Sequence, residues 1–86
     1  MNPTATRQRL AELVRTATDG TVTVTDALAG RSSLAALGVD SLALLRLLDA
    51  IEGEYGVEID LGREPTAMDS LDDVVDLLVR HGVPRG

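Results

Sequence analysis

The chain has no cysteine, no lysine, no phenylalanine and no tryptophan, and Tyr55 is its single aromatic residue. Without cysteine, neither disulfides nor a thiolate-built zinc site can reinforce the fold. At 86 residues it reads as one domain, near the size at which a single core gives thin stability, so the packing of aliphatic helix faces must supply it. No stretch approaches the roughly 18 apolar residues of a membrane span. The first ten residues, MNPTATRQRL, lack the apolar segment of a secretory signal. The expectation is a soluble, cytoplasmic monomer with no membrane partner.

Charge is present but lopsided. The formal net charge is -6. Residues 1–39 carry four arginines against three acids, whereas residues 40–86 carry 11 acids against four arginines. A phosphate-binding surface needs the opposite sign, so nucleic acid is excluded as the expected partner. A basic protein surface is the partner this half fits.

Apolar periodicity supplies the architecture. Leu10, Leu13, Val14 and Ala17 recur on one face and predict a helix over about residues 4–18, stopped by Asp19-Gly20. TVTVT, residues 21–25, alternates like a strand, but no second strand is available to pair with it, so it reads as extended loop. Residues 26–37 form a long connection in which Leu28, Leu34 and Leu37 are expected to pin the chain to the core. A second helix is predicted from Ser41 to Tyr55, ending at Gly56, with Leu44, Leu47, Leu48, Ile51 and Tyr55 inward and Leu42, Arg46, Asp49 and Gly53 outward. Leu45 falls on the margin. Glu64 to Met68 suits one short turn opened by Pro65, and Ser70 with Asp73 starts a last helix closed by Gly82 and Pro84. The fold class is all-α: a small four-helix bundle of three main helices and one short one, with a long first loop.

The chemistry concentrates at LGVDSL, residues 37–42. Asp40 and Ser41 are both favoured at helix starts, and either can accept a hydrogen bond from first-turn amides. Nucleophilic catalysis needs a base, but the only histidine, His81, ends the last helix, and no G-x-S-x-G elbow is present. A modified serine is the third reading, because free amides and the dipole at a helix N-terminus stabilise a phosphodiester. If the protein carries thioesters, the missing cysteine requires an attached group to bring the thiol.

The chain resembles the acyl carrier protein family in LGVDSL, in the apolar second helix ending at Tyr55-Gly56, and in VEID, residues 57–60. Length, acidity, the long first loop and the capped last helix extend the resemblance over essentially the whole chain. It implies a non-catalytic carrier with 4'-phosphopantetheine on Ser41, transferred from coenzyme A by a phosphopantetheinyl transferase that uses Mg²⁺. The attached thiol then holds acyl or aminoacyl groups as thioesters. It also implies a loading enzyme and downstream synthase or tailoring enzymes as partners. Asp40 matches the acid that helps position the transferase and its metal, and Leu42 matches the apolar residue that partners touch. Leu45, Arg46, Asp49 and Glu52 complete the expected recognition set.

Departures from the family concern partner choice. Members of the fatty-acid type place acids one and four residues after the motif leucine, where this chain has Ala43 and Arg46. The acidic face is thinned there and kept lower down, at Asp49, Glu52 and Glu54. Arg46 either repels basic patches that bind housekeeping carriers or is a solvated residue paired with Asp49 three positions on. Gly38-Val39 resembles the acyl type, where peptidyl carriers more often show two glycines. A start at methionine and an end soon after the last helix favour a discrete carrier. Arginine without lysine, with abundant Ala, Leu and Val, fits a GC-rich bacterial genome, where such carriers often serve polyketide or other specialised-metabolite biosynthesis. A discrete peptidyl carrier is the alternative, and a small helical interaction domain with unmodified Ser41 is the rival from another class.

Overall fold

In the computed structural model residues 5–29 and 32–85 are described. They form α1 (Ala5–Ala17), α2 (Val24–Ala29), α3 (Leu34–Leu37), α4 (Ser41–Tyr55) and α5 (Leu71–Arg80), with no strand among the described residues. The all-α bundle is as expected, but the short elements lie elsewhere. Two short helices occupy the first connection. The expected turn near Pro65 stays non-helical, held by bonds from Ala67 N to Glu64 O and from Asp69 N to Thr66 O. Thr4, the expected start of the first helix, lies outside the described residues.

α1 is the central element, packing against α2, α4 and α5. Leu10, Ala11 and Val14 are fully buried, as their spacing requires. The helix stops because Asp19 and Gly20 both turn left-handed, at φ 52° and 83°, and Gly20 N reaches back to Arg15 O at 2.9 Å. Thr18 stitches this exit: its Oγ1 donates to Val14 O and accepts from Val22 N.

The extended loop expected over residues 21–25 holds only for residues 21–23, which are non-helical, because Val24 and Thr25 belong to α2. Val22 is buried at 1 % exposure, and Thr23 Oγ1 accepts from Asp26 N at 3.1 Å, the bond a helix N-cap makes. Val24 therefore opens α2. At six residues, α2 is too short to stand alone. It is held by burial of Ala27 and by Arg7, whose guanidinium donates from Nη2 to Leu28 O at 3.1 Å and from Nη1 to Asp72 of α5.

α4 has the predicted bounds and inward face. Leu47 and Ile51 are essentially inaccessible, with Leu44, Leu48 and Tyr55 half-buried around them. Gly56 ends it at φ 65°. Arg9 clamps the C-terminal half of α4 to α1 through a two-pronged bond to Glu54, at 2.6 and 2.5 Å. In α5, Leu71, Val74, Leu77 and Leu78 are at most 2 % exposed. Ser70 caps it, accepting from Asp73 N and donating to Asp73 Oδ2.

Candidate functional site

LGVDSL works as a turn with a division of labour. Ser33 caps α3 by accepting from Ala36 N, and Gly38 ends it at φ 113°, a conformation that side-chain-bearing residues rarely adopt. The backbone reverses there, and Val39 N bonds Leu34 O at 3.0 Å. Val39 is buried and anchors the turn, so the next residues emerge at the surface in a fixed direction.

Asp40 is the N-cap of α4. It has extended backbone angles, and its Oδ1 accepts from Ala43 N at 2.8 Å while its carbonyl accepts from Leu44 N. Ser41 is therefore the first helical residue and not the cap, and it is exposed. The amides of Ser41 and Leu42 have no carbonyl to reach within the helix, and the dipole of a helix of 15 residues favours negative charge beside them. An exposed hydroxyl at such a place fits a phosphodiester.

Leu42 and Leu45 stand out from the surface, 57 % and 61 % exposed. Arg46 and Asp49 are exposed on the same outward part of α4. Ala43, by contrast, is buried at 6 %, so it belongs to the core and not to the acidic face it was expected to thin. Glu52 is half-buried, and its Oε2 accepts from Ile59 N at 2.8 Å. Arg46 does not pair with Asp49: its Nη1 lies 3.6 Å from Asp19 Oδ2, at the exit of α1.

Two depressions flank the turn that leads into α4. A crevice of about 190 Å³ lies between the exit of α1 and the start of α4, with Asp19, Asp40, Leu42 and Arg46 in its walls. A groove of about 340 Å³ opens where α3, α4 and the approach to α5 meet, lined by Leu34, Val39, Leu44 and Met68 together with polar Ser33 and Asp69.

His81 lies at the other end of the molecule, in a hollow with Tyr55, the last residue of α4. At about 1.5 Å of rise per residue the two ends of that helix are about 20 Å apart, so His81 is not a base for Ser41. The shifted ionisations also gather at the far end. The hydrogen bonds from Arg9 hold the Glu54 carboxyl below its ordinary value and tighten the proton on Arg9. Burial, with the nearby Glu54 charge, pushes the Tyr55 phenol up.

Two features have no local sequence signal. Asp19 marks a helix stop in the sequence, and its pairing with Arg46 depends on how the first connection folds. Glu52, expected in the partner-recognition set, has a second task in holding Ile59 N, and a glutamate seven residues before a buried isoleucine in a post-helix turn carries no recognisable signal of it.

A helical domain that presents an exposed serine at the first position of its longest helix, beside a capping aspartate, has the form of a phosphopantetheine carrier. The family model described as the phosphopantetheine attachment site matches residues 8–78, and the chain belongs to that family. Members carry 4'-phosphopantetheine covalently, so the protein is a carrier whose modification requires a phosphopantetheinyl transferase and whose cargo is worked on by partner enzymes. No curated protein and no solved structure matches the chain. Among the described residues, no helix is long and apolar enough to cross a membrane.

Proposed function

We propose that Ser41 is the attachment residue and that the chain, a single cytoplasmic carrier domain over residues 1–86, holds acyl intermediates of polyketide or other specialised-metabolite biosynthesis. The observation that carries this reading is the separation of duties at the head of α4: Asp40 makes the cap, which leaves the exposed Ser41 hydroxyl available. The other helix-opening serines, Ser33 and Ser70, accept capping bonds. When attached, the arm supplies the thiol that the chain lacks. The protein contributes presentation: it fixes the attachment point, places negative charge beside the helix amides, and offers Leu42, Leu45, Arg46, Asp49 and Glu52 at or near the face a partner meets. Tethering raises the local concentration of cargo at each partner without lowering a barrier itself.

The acyl assignment draws on Gly38-Val39 and on the groove lined by Leu34, Val39, Leu44 and Met68, which gives an apolar chain partial shelter close to the arm. A peptidyl carrier of a nonribosomal pathway is the second reading, since the same head of α4 serves aminoacyl cargo equally well. Incubation with coenzyme A, Mg²⁺ and a broad-specificity phosphopantetheinyl transferase should raise the mass by one phosphopantetheine, and Ser41→Ala should not react. An unmodified wild type, tested beside a positive-control carrier, would favour the helical interaction domain instead. Mass analysis of the species loaded in the native host distinguishes acyl from aminoacyl cargo.

A further inference from the structure

Arg46 is the only cation in α4, and the first turn of that helix contains no acid. Left bare, it would place a positive charge between Asp40 and Asp49, within the surface that the lopsided charge of residues 40–86 suits to a basic partner. Asp19 answers that charge. Its carboxylate lies 3.6 Å from Arg46, carried there by the left-handed turn at φ 52° that ends α1, a conformation aspartate tolerates better than most residues. The pair forms part of the crevice that also includes Asp40 and Leu42, so it adjoins the attachment turn. Both side chains are largely exposed, 52 % for Arg46 and 87 % for Asp19. Such a pair contributes little to folding stability, but it sets the local field that an approaching protein meets.

We propose that Asp19 is a specificity-determining residue for docking: acting through Arg46, it cancels the cation at the head of α4 and so admits partners with a basic face to Ser41. This rests on the carrier reading. In effect, the end of α1 supplies the negative charge that α4 lacks near its start, and the docking surface spans two helices.

The test is a double-mutant cycle on the transfer reaction, with coenzyme A, Mg²⁺ and a broad-specificity phosphopantetheinyl transferase as the docking probe. Wild type, Asp19→Asn, Arg46→Gln and the double variant are compared. Asp76→Asn, on α5, is the control, because it removes the same charge and releases another arginine, Arg85, beyond the end of that helix. Asp19→Asn should raise KM about threefold, the scale of an exposed charge pair, with kcat and Tm unchanged, and the rise should shrink at high salt. In the Arg46→Gln background the same substitution should raise KM clearly less, because no cation is left to unmask, and Asp76→Asn should match wild type. An unchanged or lower KM for Asp19→Asn overturns the proposal, as does an equal rise in both backgrounds or an equal effect of Asp76→Asn. If wild type accepts no phosphopantetheine, the carrier reading fails and the proposal with it; if wild type loads normally while KM ignores Asp19, only the proposal fails.

Discussion

Glu52 and Ile59 are joined across the end of α4, where the glutamate Oε2 accepts the isoleucine amide at 2.8 Å. The bond closes the turn that begins at Gly56 and returns Val57-Glu58-Ile59 to the bundle with Ile59 buried, which accounts for the alternation in VEID. It also gives Glu52 a structural task that Asp49, one turn earlier and exposed, does not have. Glu52→Ala should destabilise the fold by about 1–2 kcal/mol, the loss expected for a partly screened hydrogen bond to a charged acceptor. Glu52→Gln, which keeps an acceptor oxygen, should lose less, and Asp49→Ala should stay within about 0.5 kcal/mol of wild type. Urea unfolding with a common slope checks all three; equal losses at positions 49 and 52 would remove the structural role.

The two duties assigned to Asp40 are separable. Asp40→Ala should cost about 1 kcal/mol through loss of the cap on α4, visible as a lower denaturation midpoint. Asp40→Asn keeps an oxygen for the Ala43 amide and should hold that stability. If the negative charge helps position the transferase, Asp40→Asn should still slow phosphopantetheine transfer. Full transfer rates for the asparagine variant would limit Asp40 to capping.

Arg7 bridges three elements from its place on α1, reaching Leu28 O at the end of α2 and Asp72 in the first turn of α5. Arg7→Met preserves much of the aliphatic stem and removes the donors. It should cost about 1–2 kcal/mol, and hydrogen exchange should quicken most in α2, whose last turn Arg7 ties down. Uniform acceleration over all helices would show that Arg7 supports the bundle generally and not α2 in particular.

The Arg9–Glu54 clamp makes stability depend on pH on the acid side. Because the Glu54 carboxyl is held below its ordinary value in the folded protein, its contribution is complete above the unfolded carboxylate value and disappears as pH falls through the lower, folded one. Glu54→Gln should therefore lower Tm near neutrality and converge on wild type as the pH drops below about 4. A difference in Tm that stays constant down to acid pH would mean that the clamp does not act through the glutamate charge.

Much of this organisation is legible in the residues themselves. The bounds of α4 follow from its apolar spacing and from Gly56, and α5 follows from Ser70 and its leucines and valines, because each is long enough for periodicity to show. α2 is not legible in the same way: six residues give too little repeat, TVTVT imitates a strand, and the capping bond of Thr23 forms only once Val22 is buried. The same limit applies around the LGVDSL turn. Asp40 and Ser41 are equally good caps on paper, and only the backbone direction imposed by Gly38 and Val39 assigns the cap to the aspartate. Ala43 looks exposed when acids are counted along the chain, but it faces the core. The Arg46–Asp19 pair spans the whole first connection and has no signature in local sequence.

The central claim is that one particular serine carries the arm. The chain has four, at positions 32, 33, 41 and 70, so site-resolved mass spectrometry of the protein after reaction with coenzyme A and the transferase tests it most directly. A single phosphopantetheine confined to the peptide containing Ser41, and absent from Ser41→Ala, is the predicted result. Modification at Ser32, Ser33 or Ser70, or a wild type that remains unmodified while a control carrier reacts, would contradict it.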